Sequence, residues 1–309
     1  MSSSDVDHNW KLTWKKFPER NWEDLRDAWV SHVPTSLATC AQPDPGLENL
    51  PELLQLAPKE WTPVRCPDVE GLRKNAAWEA VYLFHKCAHT NLAAQRLARQ
   101  GMHSWCLFNA YHSAYLGAKG IMALLGVALP NLGSTQVAID LFPEPRKQPK
   151  KHGSGSEVRF DEFVILRLHQ LDQRRIWQGL QRLLRVTEAQ CWADVITKEL
   201  IDVKYAAITP PRNHFLYKAN YWPLDDLAED VSDATLSSMI VPELDAETDG
   251  FLVRLSFLVY HLFETLINDL AKYSPVIMEQ VEASRFQVRK MLPEMALYRD
   301  FIAQVGAAS

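Results

Sequence analysis

Residues Leu72 to Gln100 read LRKNAAWEAVYLFHKCAHTNLAAQRLARQ, and after Gly101 the chain resumes from Met102 to Leu125 as MHSWCLFNAYHSAYLGAKGIMALL. The first run holds neither proline nor glycine. Its Trp78, Val81, Tyr82, Ala88, Leu92 and Leu97 recur every three or four residues, the spacing of one helical face. Gly101 breaks that run, and the second run carries two stripes. One of them, Trp105, Phe108, His112, Tyr115, Lys119 and Met122, is aromatic and polar. The other, Cys106, Ala110, Ser113, Gly117, Ile121 and Leu124, is small at its middle and lets a neighbouring helix approach closely. Two long helices with so short a joint predict an antiparallel hairpin, the seed of a helical bundle.

Outward from the hairpin the chain divides into three parts. Residues 1–70 hold eight of the 18 prolines, which limits any helix there to a short element. Within them Asn21 is placed to cap a helix whose Trp22, Leu25, Trp29 and Val33 share a face, with Glu23 and Asp24 in its first turn. With Trp10, Trp14 and Trp61 nearby, the expected role is a proline- and tryptophan-rich cover packed over the rest. Residues 71–249 form the expected helical core. There Gly126 to Pro149 reads as irregular and Arg146 to Ser156 as a basic, mobile surface loop. A third helix is expected from Asp161 to Arg185, with Phe163, Leu166, Gln170, Trp177 and Leu184 facing inward. A shorter one is expected from Thr187 to Tyr205. Residues 250–309 predict a buried helix over Phe251 to Tyr273 and an amphipathic one over Pro275 to Val305, packed on the core. No segment alternates with period two for long enough to propose a sheet, so the expected fold class is all-α.

Only 12 of the 309 residues are glycine, against an average near 7%, which argues against turn-rich sandwiches, barrels and glycine-loop phosphate sites. The five cysteines, Cys40, Cys66, Cys87, Cys106 and Cys191, are scattered without a CxxC pair, as in a reduced, intracellular protein. The polar start and the absence of an apolar run long enough to span a bilayer place the expected location in the cytoplasm, with no membrane partner. The net charge of −5 hides two blocks. Residues 146–185 carry ten basic and four acidic groups, a net of +6, whereas residues 222–249 carry nine acidic groups and no basic one. The basic block reads either as a solvated face or as a phosphate-tracking surface for nucleic acid, with Lys150, Lys151, Arg174 and Arg175 as its contacts.

Familiar catalytic strings are absent: there is no P-loop, GxGxxG turn, GxSxG elbow or HExxH. His85 and His89 lie at i and i+4, with Glu79 and His112 as further candidate ligands, but the pattern is more often a helix interface. No metal or cofactor is therefore expected. The richest segment is Pro210-Pro211-Arg212-Asn213-His214-Phe215-Leu216-Tyr217-Lys218. The two prolines launch a helix whose first turn holds Arg212 and Asn213, where free N–H groups and the helix dipole favour an anion. His214, Tyr217 and Lys218 lie within one further turn.

The hairpin with Phe108-Asn109-Ala110-Tyr111-His112-Ser113-Ala114-Tyr115-Leu116-Gly117-Ala118-Lys119, followed later by Arg212-Asn213 and Tyr217, resembles the HEPN superfamily. The resemblance implies a HEPN-like helical bundle. It also implies an RNA-directed role in antiviral defence or a toxin–antitoxin system, with metal-independent endoribonuclease chemistry on a homodimer and a partner protein encoded nearby. Arg212, Asn213, His214 and Tyr217 would form the catalytic site, and Lys218 would help to bind RNA. In catalytic members a histidine follows the arginine by five to seven positions; here those positions hold Tyr217, Lys218 and Ala219. Arg254 and His261, seven apart on one helical face, are the second choice. Other members are non-catalytic, so the alternative is a protein–protein interaction subunit of a defence complex.

Overall fold

The structure is a computed structural model, and it describes residues 17–32, 63–67, 71–132, 135–143, 162–168, 173–192, 194–203 and 251–290. Those residues are mostly helical, as expected. In chain order they form β1 (Arg20–Asn21), α1 (Trp22–His32), β2 (Pro63–Pro67), α2 (Leu72–Arg99), α3 (His103–Leu124), β3 (Val127–Ala128), β4 (Asn131–Leu132), β5 (Thr135–Asp140) and β6 (Glu162–Leu168). After these come α4 (Gln173–Val186), β7 (Thr187–Glu188), α5 (Asp194–Asp202), α6 (Phe251–Ala271) and α7 (Pro275–Lys290).

The hairpin forms where the sequence puts it. Gly101 takes a positive φ of 72°. Its N–H donates to the Ala98 carbonyl at 3.1 Å, and the Met102 N–H reaches back to Leu97 at 2.9 Å. This glycine-dependent stop satisfies the last carbonyls of α2 and turns the chain into α3. Helix α3 is the middle of the core: Ala110, Ala114, Ala118 and Ile121 are fully buried. It packs on α2, α4 and α6. The small stripe has the expected purpose, since a Cβ on Gly117 would lie 2.5 Å from Val259 of α6 and 3.0 Å from the Cys87 thiol of α2. Gly120 is tighter still, and a methyl there would strike the Phe263 ring. Helix α6 passes a length-and-hydropathy test for a membrane span but is mostly buried, the property of a core helix.

Two expectations are corrected. The stretch from Glu162 to Leu168 is a strand, not the start of a helix, and the third helix begins only at Gln173. Strand β6 lies between β2 and β5 in an antiparallel sheet ordered β2-β6-β5-β3, with β4 also paired to β5. Ile165 stands opposite Ile139, and Phe163 opposite Cys66. The reason is that a run such as Phe-Val-Ile-Leu-Arg-Leu is equally apolar in either period, and non-local strand partners decide it. The segment after Gly126, read as irregular, supplies three of those strands.

Helix α1 is built into the core, while Trp10, Trp14 and Trp61 of the expected cover lie outside the described residues. Asn21 caps α1 through its side-chain oxygen, which accepts from the Asp24 N–H at 3.1 Å. Trp22 and Trp29 are fully buried. Their indole N–H groups donate to Asp269 at 3.0 Å and to the Leu124 carbonyl at 2.7 Å, tying α1 to the ends of α6 and α3. Arg20 is buried beside Asp140 of β5, to which it is ion-paired, and donates to the Leu125 carbonyl at 3.0 Å. The Asp269 carboxylate also accepts from Arg26 at 3.2 Å and Lys272 at 3.0 Å. Burial alone would raise its pKa, but the donors Trp22, Lys272 and Arg26 outweigh burial and hold it below the ordinary carboxylate value.

Candidate functional site

The inward stripe of α3 is spent on packing, which leaves its aromatic stripe as the chemically varied face. Trp105 is 43% exposed, and Phe108, His112, Tyr115 and Lys119 are half-buried; Met122, the sixth member, is fully buried. The rings form a chain. Trp105 meets Phe108 edge-on at 5.8 Å, Phe108 lies 4.2 Å from the His112 imidazole, and Tyr111 meets that imidazole edge-on at 5.8 Å. Tyr111 stacks over Tyr115 at 6.4 Å. Its hydroxyl donates to the Gln173 side chain at the start of α4, which fixes the ring between two helices.

His112 turns Nδ1 to the backbone. It lies 3.1 Å from the Phe108 carbonyl oxygen. A carbonyl can only accept, so Nδ1 is the donor in this contact. Asn109, one turn earlier, donates to the Trp105 carbonyl at 2.8 Å. His32 Nδ1 lies 2.8 Å from the Ala28 carbonyl and 2.9 Å from the Ser31 hydroxyl, and its ring ends α1 against Phe142.

The arginines singled out from sequence behave differently. Arg175 is only 6% exposed, so its expected place on a phosphate-tracking surface is corrected: the guanidinium lies inside. Arg174 is half-buried and already engaged. The polar face of α4 serves the next helix instead. Gln181 donates to the Leu200 and Val203 carbonyls at 3.2 and 2.6 Å, and Arg185 to the Ile201 carbonyl at 3.0 Å. Together they satisfy the free carbonyl end of α5. Arg254, the second-choice catalytic residue, is buried and holds Glu199 of α5 in a two-pronged pair at 2.6 and 2.7 Å. The fork that would grip a phosphate grips a carboxylate, which corrects that assignment. His261 on the same helix is half-buried, and burial lowers its pKa. No sequence signal pairs Arg254 with Glu199, because the contact spans 55 positions.

His85 is likewise pulled down, first by burial and then by neighbouring His89. Among the described residues no three His, Cys, Asp or Glu side chains converge as metal ligands. The described thiols are poor nucleophiles. Burial pushes Cys87 up to about 12, with only partial relief from Ser113 and the Gly117 backbone, and pushes Cys106 up to about 12. Burial, with Asp269 and Glu23 nearby, raises Cys191 to about 11. Arg212, Asn213, His214, Tyr217 and Lys218, with Lys150 and Lys151, lie outside the described residues.

Comparison with known proteins returns no matching family model, no matching curated protein and no matching solved structure.

Proposed function

We propose that this chain is a HEPN-like, RNA-directed module of a defence or toxin-type system, working as a homodimer, with RNA lying along the aromatic face of α3. The supporting observation is the ring chain from Trp105 to Tyr115, beside Lys119. Unstacked bases lie on aromatic side chains, each worth about 1–3 kcal/mol, alongside cationic groups that track the backbone. Arg212 and Asn213, at the expected helix start, would hold the scissile phosphate, and attack by the RNA 2′-hydroxyl is the chemistry the resemblance implies. The test is cleavage of single-stranded RNA in chelator. The proposed function requires cleavage by the native chain, its loss in Arg212→Ala, and weaker RNA binding in Trp105→Ala. A chain that neither binds nor cleaves RNA overturns it.

A second reading is a non-catalytic interaction subunit, favoured by the burial of Arg175 and the closed Arg254–Glu199 pair. It requires stable co-purification with a protein partner, without RNA cleavage, that is lost when Arg174 is changed to Glu.

A further inference from the structure

The net charge divides along the fold in a way the two loop blocks do not show. From Leu72 to Leu124, which is α2, its turn and α3, six residues are basic and only Glu79 is acidic. That is a net of +5, so the rest of the chain carries −10. We propose that the outward face of this helix pair is the track for a single RNA strand, with Lys86 of α2 and Lys119 of α3 holding its phosphates; this rests on the RNA-directed function above and gives it backbone contacts.

Register brings the two lysines together. A Cβ on Gly117 would lie 3.0 Å from the Cys87 thiol, and one on Gly120 would lie 3.2 Å from the Leu83 Cβ. In an antiparallel pair those contacts set Lys86 within about one helical turn of the height of Lys119. Packing turns both to one side. Phe84 of α2 meets Tyr260 and Phe263 of α6, while Gly117 and Gly120 of α3 close on Val259 and Phe263 of that same helix. With α6 seated on one side of the pair, the exposed sides of α2 and α3 share the other. On α2 that side carries Tyr82, Lys86, His89 and Arg96, all exposed and on one helical face. Among the described residues Lys86 and Lys119 enter no ion pair. The single acid, Glu79, stands two turns from Lys86, at the end of α2 away from the hairpin turn.

A face of cations selects an anionic partner. A second copy of the chain is excluded by the same charge, because a two-fold contact would set this face on itself, lysine against lysine. The exposed rings decide between anionic polymers. Tyr82 and Trp105, 60% and 43% exposed, stand near opposite ends of the pair. An acidic peptide leaves such rings unused, whereas an unstacked base lies on them, and backbone cations beside aromatic platforms make a single-strand site. Phosphate contacts carry no sequence information, so the track discriminates strand state and not sequence.

The experiment measures binding of fluorescent oligouridine and oligoadenosine RNA to the full-length chain over a range of salt concentrations. The native protein is compared with Lys86→Gln, with Lys86→Gln combined with Lys119→Gln, and with Lys198→Gln, which removes one exposed lysine from α5. Circular dichroism and thermal melting verify the fold. For a single strand, log affinity falls against log salt with a slope of about 0.7 per phosphate neutralised. Lys86→Gln should therefore lower the slope by about 0.7 and the double variant by about 1.4, equally on both RNAs, while Lys198→Gln leaves it unchanged. A merely structural lysine would weaken binding without that stepwise fall. Native binding with an unchanged slope in the double variant, or with an equal fall in Lys198→Gln, overturns the track and leaves the proposed function standing. Displacement of the RNA by polyglutamate as readily as by unlabelled RNA of equal charge assigns the face to an acidic protein and also overturns the track. A native chain that binds neither RNA overturns both.

Discussion

Replacing Gly120 with alanine tests whether the close approach of α3 and α6 sets the core. The added methyl would strike the Phe263 ring and lie 3.2 Å from the Leu83 Cβ. Phe263 has no exposed surface to swing into, and its ring meets Phe84 edge-on at 5.3 Å. Overpacking of this kind costs about 1–3 kcal/mol, while alanine in place of a mid-helix glycine returns about 0.5–1 kcal/mol. The net expectation is a loss of about 1–2 kcal/mol. At about 2.1 cal/mol/K per residue, a chain of this size unfolds with an entropy near 0.65 kcal/mol/K, so Tm should fall by about 2–3 °C. The sharper measurement is a double-mutant cycle with Phe263→Leu, followed by urea unfolding. Phe263→Leu alone opens a cavity, and the methyl introduced by Gly120→Ala fills part of it. The double variant should therefore be less destabilised than the sum of the singles by about 0.5–3 kcal/mol. Additive effects, or a Gly120→Ala protein more stable than the native one, would refute the close-contact account.

Other consequences are as direct. Glu199→Gln leaves Arg254 buried without its carboxylate and should cost about 3–5 kcal/mol, while the paired change of Glu199 and Arg254 to methionine costs less than that single one; the reverse order in denaturant melts would contradict a buried pair. The Asp269 carboxyl is held below its ordinary value, so its contribution to stability is fully present above the unfolded carboxylate pKa and is lost as pH falls through the folded value. Asp269→Asn should accordingly flatten the acid limb of the stability profile, followed by tryptophan fluorescence, and an unchanged acid limb would count against the Trp22–Arg26–Lys272 hub. Cys87 and Cys106, buried and raised to about 12, should resist maleimide in the folded protein and label only on unfolding; mass mapping that finds native label there would refute the packing.

The α2–α3 hairpin, the Gly101 turn, the small face around Gly117, the Asn21 cap and the buried α6 were legible in the sequence because each depends on neighbours within one or two helical turns, where spacing and backbone chemistry decide the outcome. The stripe from Trp105 to Met122 was legible as one face of α3 for the same reason, but that Trp105 would stay exposed while Met122 is buried was not. The Nδ1 contact of His112 is also local, made to a carbonyl four residues back, but the Gln173 anchor that holds Tyr111 beside it is 62 positions away. Strand β6 needed β2 and β5 to choose its period, Arg254 needed Glu199, and Arg20 needed Asp140 across 120 positions. A charge or an apolar run in one dimension specifies what a segment can bury or pair with. Only tertiary structure brings a partner to it, and burial of that partner decides whether an arginine faces a phosphate or a carboxylate.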